Sequence, residues 1–500
     1  MKLLRAYLSF RKAKMNNTRY TLYTAAEQPV NKQFLQMERN ILDTDVIGCA
    51  LKNSAVWNKG GYCQIFWGSE DIQKLNNEGK RLLSAEAAEK TLDEQRKTIK
   101  LYWESVNELK ARLGDKNASQ KQLGESYGLY AYALRRIYAH FITTTGPVTF
   151  AVESELRELL KKFGEQIEEV FNILTTPTEE DILFKELLDW KKILQNPSRE
   201  NLLQHTKKYS ILMANIFSEQ EAVEWAQTRM KEKTTAHIDE EISKSQARRK
   251  ELKLKQQEIF KELNSEKAEQ LASFLRQGGL LRLLLKACWN GEAYHLLPFY
   301  EKVAEIAGCS VRDIYMFYTR DEISSLLHKN INMPKEDLEK RKKYCLLHYS
   351  GNKINIYNGK EALEMKKKIL ESSLPDKDIA SFSGSIANKG VVAGQAKVLK
   401  VDNPTEIQRI AKTLNEHSIL VTGMTNPTMM VLIQKVKGII TDEGGITCHA
   451  AIISREANLP CLVGCGKATI VLEDEDYILL DADNGIVRKI TRDEFDKLKD

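Results

Sequence analysis

The chain changes character part-way along, and no single fold class accommodates both halves. Between about residues 80 and 330, Gly and Pro are sparse and Leu, Lys, Glu and Gln dominate, a composition that favours helices. Apolar residues recur there every three or four positions. One run starts after Ser84-Ala85-Glu86-Ala87 and passes Leu92, Ile99, Tyr102, Val106 and Leu109. A second goes from Val152 through Leu156, Leu159, Leu160, Phe163 and Ile167 to Val170. Each gives a helix one buried stripe. Met230 to Lys267 is charged with both signs mixed, the pattern of a solvated helix face within an antiparallel hairpin.

Beyond residue 340 short apolar runs take over. Cys345-Leu346-Leu347-His348-Tyr349 and Lys353-Ile354-Asn355-Ile356-Tyr357 flank Ser350-Gly351-Asn352 and predict a hairpin, with a helix over 361–371. Residues 372–385 are rich in Ser, Pro, Asp and Gly and predict a linker. Strands are then expected over 391–399, where a glycine marks a bulge or a close approach, and over 418–422, 438–441 and 461–463. Asn426-Pro427 has the form of a helix start, with Met430, Ile433 and Val431 or Val436 on the buried face. A last pair of strands, 477–480 and 486–490, flanks the turn Asp483-Asn484-Gly485. The expected fold is multidomain, a large mainly α-helical N-terminal region plus a C-terminal α/β domain. The expected boundaries are a mixed N-terminal segment over 1–75, a helical domain over 76–335, a hairpin, helix and linker over 336–383, and the α/β domain over 384–495.

The α/β region contains Gly444-Gly445-Ile446-Thr447-Cys448-His449-Ala450-Ala451-Ile452-Ile453, a glycine turn that leads into a helical pattern. His449 then stands at a helix N-terminus. Unpaired backbone N–H groups and the helix dipole favour a bound anion there. The same dipole disfavours an imidazolium and keeps the ring neutral and nucleophilic. Gly444 and Gly445 let the backbone approach a phosphate. Thr447 is expected to cap the helix and touch a phosphoryl oxygen, and Cys448 to border that site while mainly packing. Arg455 and Glu456 suit a structural ion pair. Cys448, His449, Cys461 and Cys465 fit no compact zinc spacing. Gly464-Cys465-Gly466-Lys467-Ala468-Thr469 lacks the distal glycine and the magnesium-binding hydroxyl of a nucleotide loop. No metal-ligand set is expected in the chain itself.

Continued by Arg455-Glu456, Leu459-Pro460 and Val463-Gly464-Cys465-Gly466, this segment resembles the mobile phosphohistidine domain of phosphoenolpyruvate-utilising enzymes, phosphoenolpyruvate synthase among them. Ile314-Tyr315-Met316-Phe317-Tyr318-Thr319-Arg320-Asp321-Glu322-Ile323, followed by Arg341-Lys342, is similar to the stretch before the swivelling domain in rifampin phosphotransferase-like proteins. In Met424-Thr425-Asn426-Pro427-Thr428, Thr428 replaces the acidic residue of the family's Thr-Xaa-Pro-Asp. The resemblance implies that 384–495 is a swivelling phosphohistidine domain with His449 as the phosphorylated residue. It further implies an ATP-grasp domain that charges His449 with magnesium, splitting ATP to AMP and phosphate, and a helical domain that holds a small-molecule acceptor. No ATP-grasp pattern precedes the helices and no barrel follows Ile490 in this sequence. The expected function is therefore a split phosphotransferase charged by a separate ATP-grasp subunit, with magnesium bound largely by that partner and the phosphates.

A base in the helical region would activate the acceptor hydroxyl. His295, within Trp289-Asn290-Gly291-Glu292-Ala293-Tyr294-His295-Leu296-Leu297-Pro298-Phe299-Tyr300, is the candidate; its aromatic surroundings suit a ligand pocket and an ordinary core alike. Tyr138-Ala139-His140-Phe141 is a second. The alternatives are a carrier component of phosphoenolpyruvate synthase type and a non-catalytic binding or regulatory protein phosphorylated on His449. With 75 basic residues nearly offset by 69 acidic ones, the net charge of +6 gives no case for nucleic acid. No apolar run reaches membrane-spanning length. Arg5 interrupts the apolar N-terminus, so no secretory signal is expected. Eight scattered cysteines suit reduced thiols and a cytoplasmic location.

Overall fold

A computed structural model describes residues 20–27, 29–214, 216–232, 235–350, 353–370, 379–400, 404–425, 429–444 and 448–498. The chain folds into two compact units that it visits alternately. Val30–Leu51 and Gln73–Pro334 form a helical unit; the described residues before Val30, Lys52–Ile72 and the described residues from Lys335 onward form an α/β unit.

The helical unit is built on the helix Ala85–Gly114, whose Ser84 cap accepts a hydrogen bond from Ala87 N. It packs against Gln120–Ile142, which starts with a reciprocal Ser119–Gln122 capping box, and against Glu266–Trp289. Tyr102, Val106 and Leu109 of the predicted stripe are wholly buried. The second predicted stripe is not one helix. Gly146–Leu159 ends, a tight turn over Lys161–Gln166 contains Gly164 at φ 56°, and Ile167–Thr175 resumes. A left-handed glycine breaks a helix whatever the apolar period on either side. The charged stretch forms Thr235–Leu263, ended by Asn264 at φ 44° and followed by a helix capped by Ser265.

The α/β unit holds two sheets. The first is antiparallel throughout. It contains β1 (Tyr20–Glu27), β2 (Asn53–Lys59), β3 (Tyr62–Gly68), β4 (Cys345–Ser350) and β5 (Lys353–Asn358) in the order β1-β3-β2-β4-β5. The predicted hairpin is β4–β5, and β2 pairs alongside it with Val56 opposite Leu347. The stretch 1–75, read from sequence as one segment, is thus shared between the units: β1 to β3 join this sheet, whereas the helix Val30–Leu42 buries Val30, Phe34, Leu35 and Met37 in the helical unit. Trp57, Phe66 and Leu346 make the core of the sheet.

The second sheet has eight strands: β6 (Ser381–Ser383), β7 (Ser385–Asn388), β8 (Val391–Leu399), β9 (Ser418–Thr422), β10 (Gly438–Thr441), β11 (Cys461–Val463), β12 (Tyr477–Asp481) and β13 (Ile486–Lys489). Their order is β6-β13-β12-β8-β9-β10-β11-β7. β8 to β11 run parallel. Their apolar runs face cores on both sides: Ile419, Val421 and Ile440 on one face, Leu420, Ile439 and Val463 on the other. Of the predicted linker over 372–385, Ser381–Ser383 and Ser385 are strand, and 371–378 lie outside the described residues. β6 and β7 are separated by Gly384 alone, so one segment pairs with β13 through its first half and β11 through its second, closing the sheet on itself. A Cβ on Gly384 would lie 2.5 Å from Cys465 Sγ, which is why the crossing point carries none. Gly394 in β8 marks the predicted close approach: its Cβ would meet His417 O at 2.3 Å. Among the described residues no helix is long and apolar enough to cross a membrane.

Candidate functional site

Three loops leave the carboxyl ends of parallel strands and lie side by side, the end of a parallel α/β sheet at which ligands bind. They follow β9, β10 and β11. Asp442 N donates to Thr422 O at 3.1 Å and Glu443 N to Gly423 O at 2.8 Å, tying the second loop to the first. Cys465 N donates to Thr441 O and Gly466 N to Asp442 O, both at 3.0 Å, tying the third to the second. The Asp442 carboxylate is buried between them. It accepts Thr469 N at 3.2 Å, Thr469 Oγ1 at 2.5 Å and Ala468 N, at the start of the helix Ala468–Val471. Burial pushes its pKa up to about 6 against these hydrogen bonds.

His449 is the first residue of the helix His449–Glu456, and its side chain is half-buried. The expected N-terminal position is therefore where the fold puts it. Thr425 Oγ1, on the loop after β9, lies 2.8 Å from His449 Nδ1. Thr425 is itself 6 % exposed, so the contact is shielded from bulk water. Cys448, not Thr447, occupies the capping position, with extended φ −74° and ψ 168° and no side-chain cap hydrogen bond. Its thiol packs instead: a Cβ on Gly444 would stand 2.6 Å from Cys448 Sγ. Gly444 also holds φ 111°, so a turn conformation and a close contact require glycine there. Gly445 and Thr447 lie outside the described residues, as do Asn426, Pro427 and Thr428. Arg455 Nε donates to Ala387 O of β7 at 2.9 Å, which anchors the far end of the His449 helix to the sheet rather than turning toward the histidine.

His295 lies in the other unit, in the interior of the helices. Its Nε2 is 2.9 Å from Tyr102 OH and its Nδ1 3.3 Å from Ser210 Oγ. Burial pushes its pKa down to about 3, which makes the ring neutral and a weak base. His140, also buried, is pushed down to about 4. The sequence pattern draws attention to Thr428 and misses Thr425; the available signal is a hydroxyl residue two positions before Pro427, just past a strand end. Among the described residues, no three His, Cys, Asp or Glu side chains converge as a metal site, and Asp442, near the histidine loop, already accepts three hydrogen bonds.

Residues 414–485, which contain all three loops, match the family described as PEP-utilising enzyme, mobile domain. A probable phosphoenolpyruvate synthase of Methanothermobacter thermautotrophicus is 44 % identical over 101 residues, 20 % of this chain and 14 % of that protein. The phosphoenolpyruvate synthase of Pyrococcus furiosus is 42 % identical over 108 residues, 22 % of this chain and 12 % of that one. YvkC of Bacillus subtilis, named an uncharacterized phosphotransferase, is 32 % identical over 203 residues, 39 % of this chain and 23 % of that protein. The matches thus span less than a quarter of these relatives' lengths.

Proposed function

We propose that this chain, whose C-terminal region matches the mobile-domain family of phosphoenolpyruvate-utilising enzymes, is a phosphotransferase component that carries a phosphoryl group on Nε2 of His449. The Thr425–His449 contact carries the reading. In this reading the Thr425 hydroxyl accepts from Nδ1–H, which puts the ring proton on Nδ1 and the in-plane lone pair on Nε2. That lone pair attacks phosphorus in line; the P–N bond forms as the bond to the leaving oxygen breaks. The product keeps high transfer potential, and positioning with charge neutralisation supplies most of the catalysis. The helix N-terminus beneath the ring offers N–H donors to the phosphoryl oxygens.

The donor in this reading is ATP, handled by an ATP-grasp partner that also brings magnesium on its phosphates. The acceptor is a small molecule held by the helical unit. A second reading is favoured by the names of the synthase relatives: the same carrier serves phosphoenolpyruvate chemistry. Intact-mass spectrometry at alkaline pH tests both, since phosphohistidine is acid-labile. The protein is incubated with ATP and magnesium, with and without an ATP-grasp partner, and separately with phosphoenolpyruvate and a barrel subunit. One added phosphoryl group that disappears in His449→Ala is expected. A group that survives His449→Ala would overturn the assignment.

A further inference from the structure

The two sheets of the α/β unit touch at the helix Ala468–Val471. The core of the first sheet, around Trp57, Phe66 and Leu346, is shared with Ala362 and Leu370 of the helix Gly359–Leu370. One side chain from the second sheet and its helices, the His449 domain, also packs against it: Ile470. The neighbours of Ile470 belong elsewhere. Ala468 and Val471 are buried in the domain's own core with Ile419, Val421 and Ile440, and their helix packs on β9 and β10. Ile470 itself is half-buried and joins the other core.

Tyr62 stands at the same place. Side chains alternate along a strand, so Tyr62 shares a face of β3 with Phe66. Its hydroxyl is buried beside Thr469, near enough to Asp442 to feel the carboxylate, and completes no hydrogen bond. Burial pushes the phenol up to about 12. Buried polar atoms are nearly always paired, and water would satisfy this one if the two surfaces parted. The contact therefore joins an apolar attraction, through Ile470, to an uncompensated hydroxyl that opposes it. Opposed contributions in so small a contact describe a surface that holds and lets go rather than a permanent core. It also lies on the face of the second sheet away from the His449 helix, whose Ala450 and Ala451 pack with Leu420 and Ile439.

We propose that the Trp57–Phe66 face of the first sheet is a releasable dock for the His449 domain, which it grips through Ile470 and Tyr62 from the side away from the histidine helix. Gripped from behind, the domain leaves its histidine face for a phosphoryl donor. Released, it uncovers Trp57 and Phe66. The dock still touches the histidine loops, because Thr469, beside Tyr62, donates both its N–H and its hydroxyl to Asp442. This deepens the proposed function, and rests on it only in treating the docked domain as a carrier; docking itself needs no phosphoryl group.

Hydroxyl-radical footprinting of the full chain, read by mass spectrometry, measures the exposure of Trp57 and Phe66 and is the test. Ile470→Asp sets a carboxylate against the apolar face and should raise oxidation of both rings severalfold. Tyr62→Phe should do the opposite. It removes the unpaired hydroxyl, so the released fraction should fall about fivefold, the equivalent of one net hydrogen bond, and oxidation of Trp57 with it. Ile470 lies outside the core of its own domain, so amide exchange in β9 and β10 should stay at the wild-type rate in Ile470→Asp. That control distinguishes release from unfolding. Unchanged oxidation in Ile470→Asp, a rise accompanied by faster exchange in β9 and β10, or higher oxidation in Tyr62→Phe would each overturn the proposal. His449→Ala separates the two readings: it should give the wild-type footprint. The expected footprints without any charging of His449 sink the carrier reading alone, and charging with footprints that ignore Ile470→Asp sinks the dock alone.

Discussion

Thr425→Val tests whether a single hydroxyl selects the reactive nitrogen of His449. Valine keeps the branched shape and removes only the partner of Nδ1, 2.8 Å away. The contact is neutral and largely shielded, since Thr425 is 6 % exposed. With the hydroxyl as acceptor, a hydrogen bond of this kind is worth about 1 kcal/mol net, which corresponds to roughly a fivefold bias toward the Nδ1–H tautomer. Losing it should lower the fraction of rings with the lone pair on Nε2 and slow charging by a similar factor. Nitrogen-15 shifts of a histidine-labelled sample report the tautomer directly, and alkaline intact-mass time courses report the charging rate. Thr425→Ser, which restores a hydroxyl, should recover most of both. If Thr425→Val leaves the tautomer and the charging rate unchanged while His449→Ala abolishes charging, the hydroxyl does not set the nucleophile and the mechanism above is wrong.

Three further outcomes follow from the geometry. Gly444→Ala forces a side chain onto φ 111° and against Cys448 Sγ, and should cost about 1–3 kcal/mol of stability; adding Cys448→Ala should recover part of the loss in urea unfolding. Gly394→Ala brings a Cβ to 2.3 Å from a backbone oxygen, so β8 and β9 must part, and amide hydrogen exchange should accelerate in β8 and β9 while the helical unit is unaffected. His295 and His140 titrate at about 3 and about 4 in the folded chain, below their ordinary 6.5. The unfolded chain therefore takes up protons first as pH falls below 6.5. The helical unit should lose several kcal/mol between pH 6.5 and about 3, at about 1.4 kcal/mol for each tenfold loss of proton affinity on folding. Asp442 is raised to about 6 and acts oppositely: protection of the α/β unit should improve as pH drops from 6 toward 4. Hydrogen exchange at pH 7 and 5, corrected for intrinsic rates, separates the two trends, and equal behaviour of both units would contradict them.

The strands β9, β10 and β11 were legible residue for residue, because a parallel sheet buried on both faces leaves uninterrupted apolar runs between turn residues. His449 at a helix start was legible for the same local reason, a glycine turn followed by a helical period. What local pattern cannot show is partnership. Tyr62-Cys63-Gln64-Ile65-Phe66-Trp67 is a short mixed segment that is hard to place from sequence, since nothing in it names β2 on one side or β1 on the other. Ser381-Phe382-Ser383 has the composition of a linker and becomes a strand only because β13 lies beside it. Thr425 is hidden likewise: its contact with His449 spans 24 residues and two loops, and exists only because β9 and β10 are neighbours. His295 stands out in the sequence for its aromatic company, which in the fold is a buried shell with both ring nitrogens in hydrogen bonds.

The first sheet also sets a timetable for biosynthesis. Tyr20 OH on β1 meets His348 Nε2 on β4 at 2.7 Å, although 328 residues separate them. A ribosome adding about 5–20 residues per second needs roughly 20–60 s to deliver that stretch. During that interval β2 has emerged with the edge that β4 will later occupy still open, and an open edge invites pairing with other chains. Helices form in about a microsecond, so the helical unit can condense long before the sheet is complete. A nascent chain stalled before residue 345 would carry folded helices and an unfinished three-stranded ribbon.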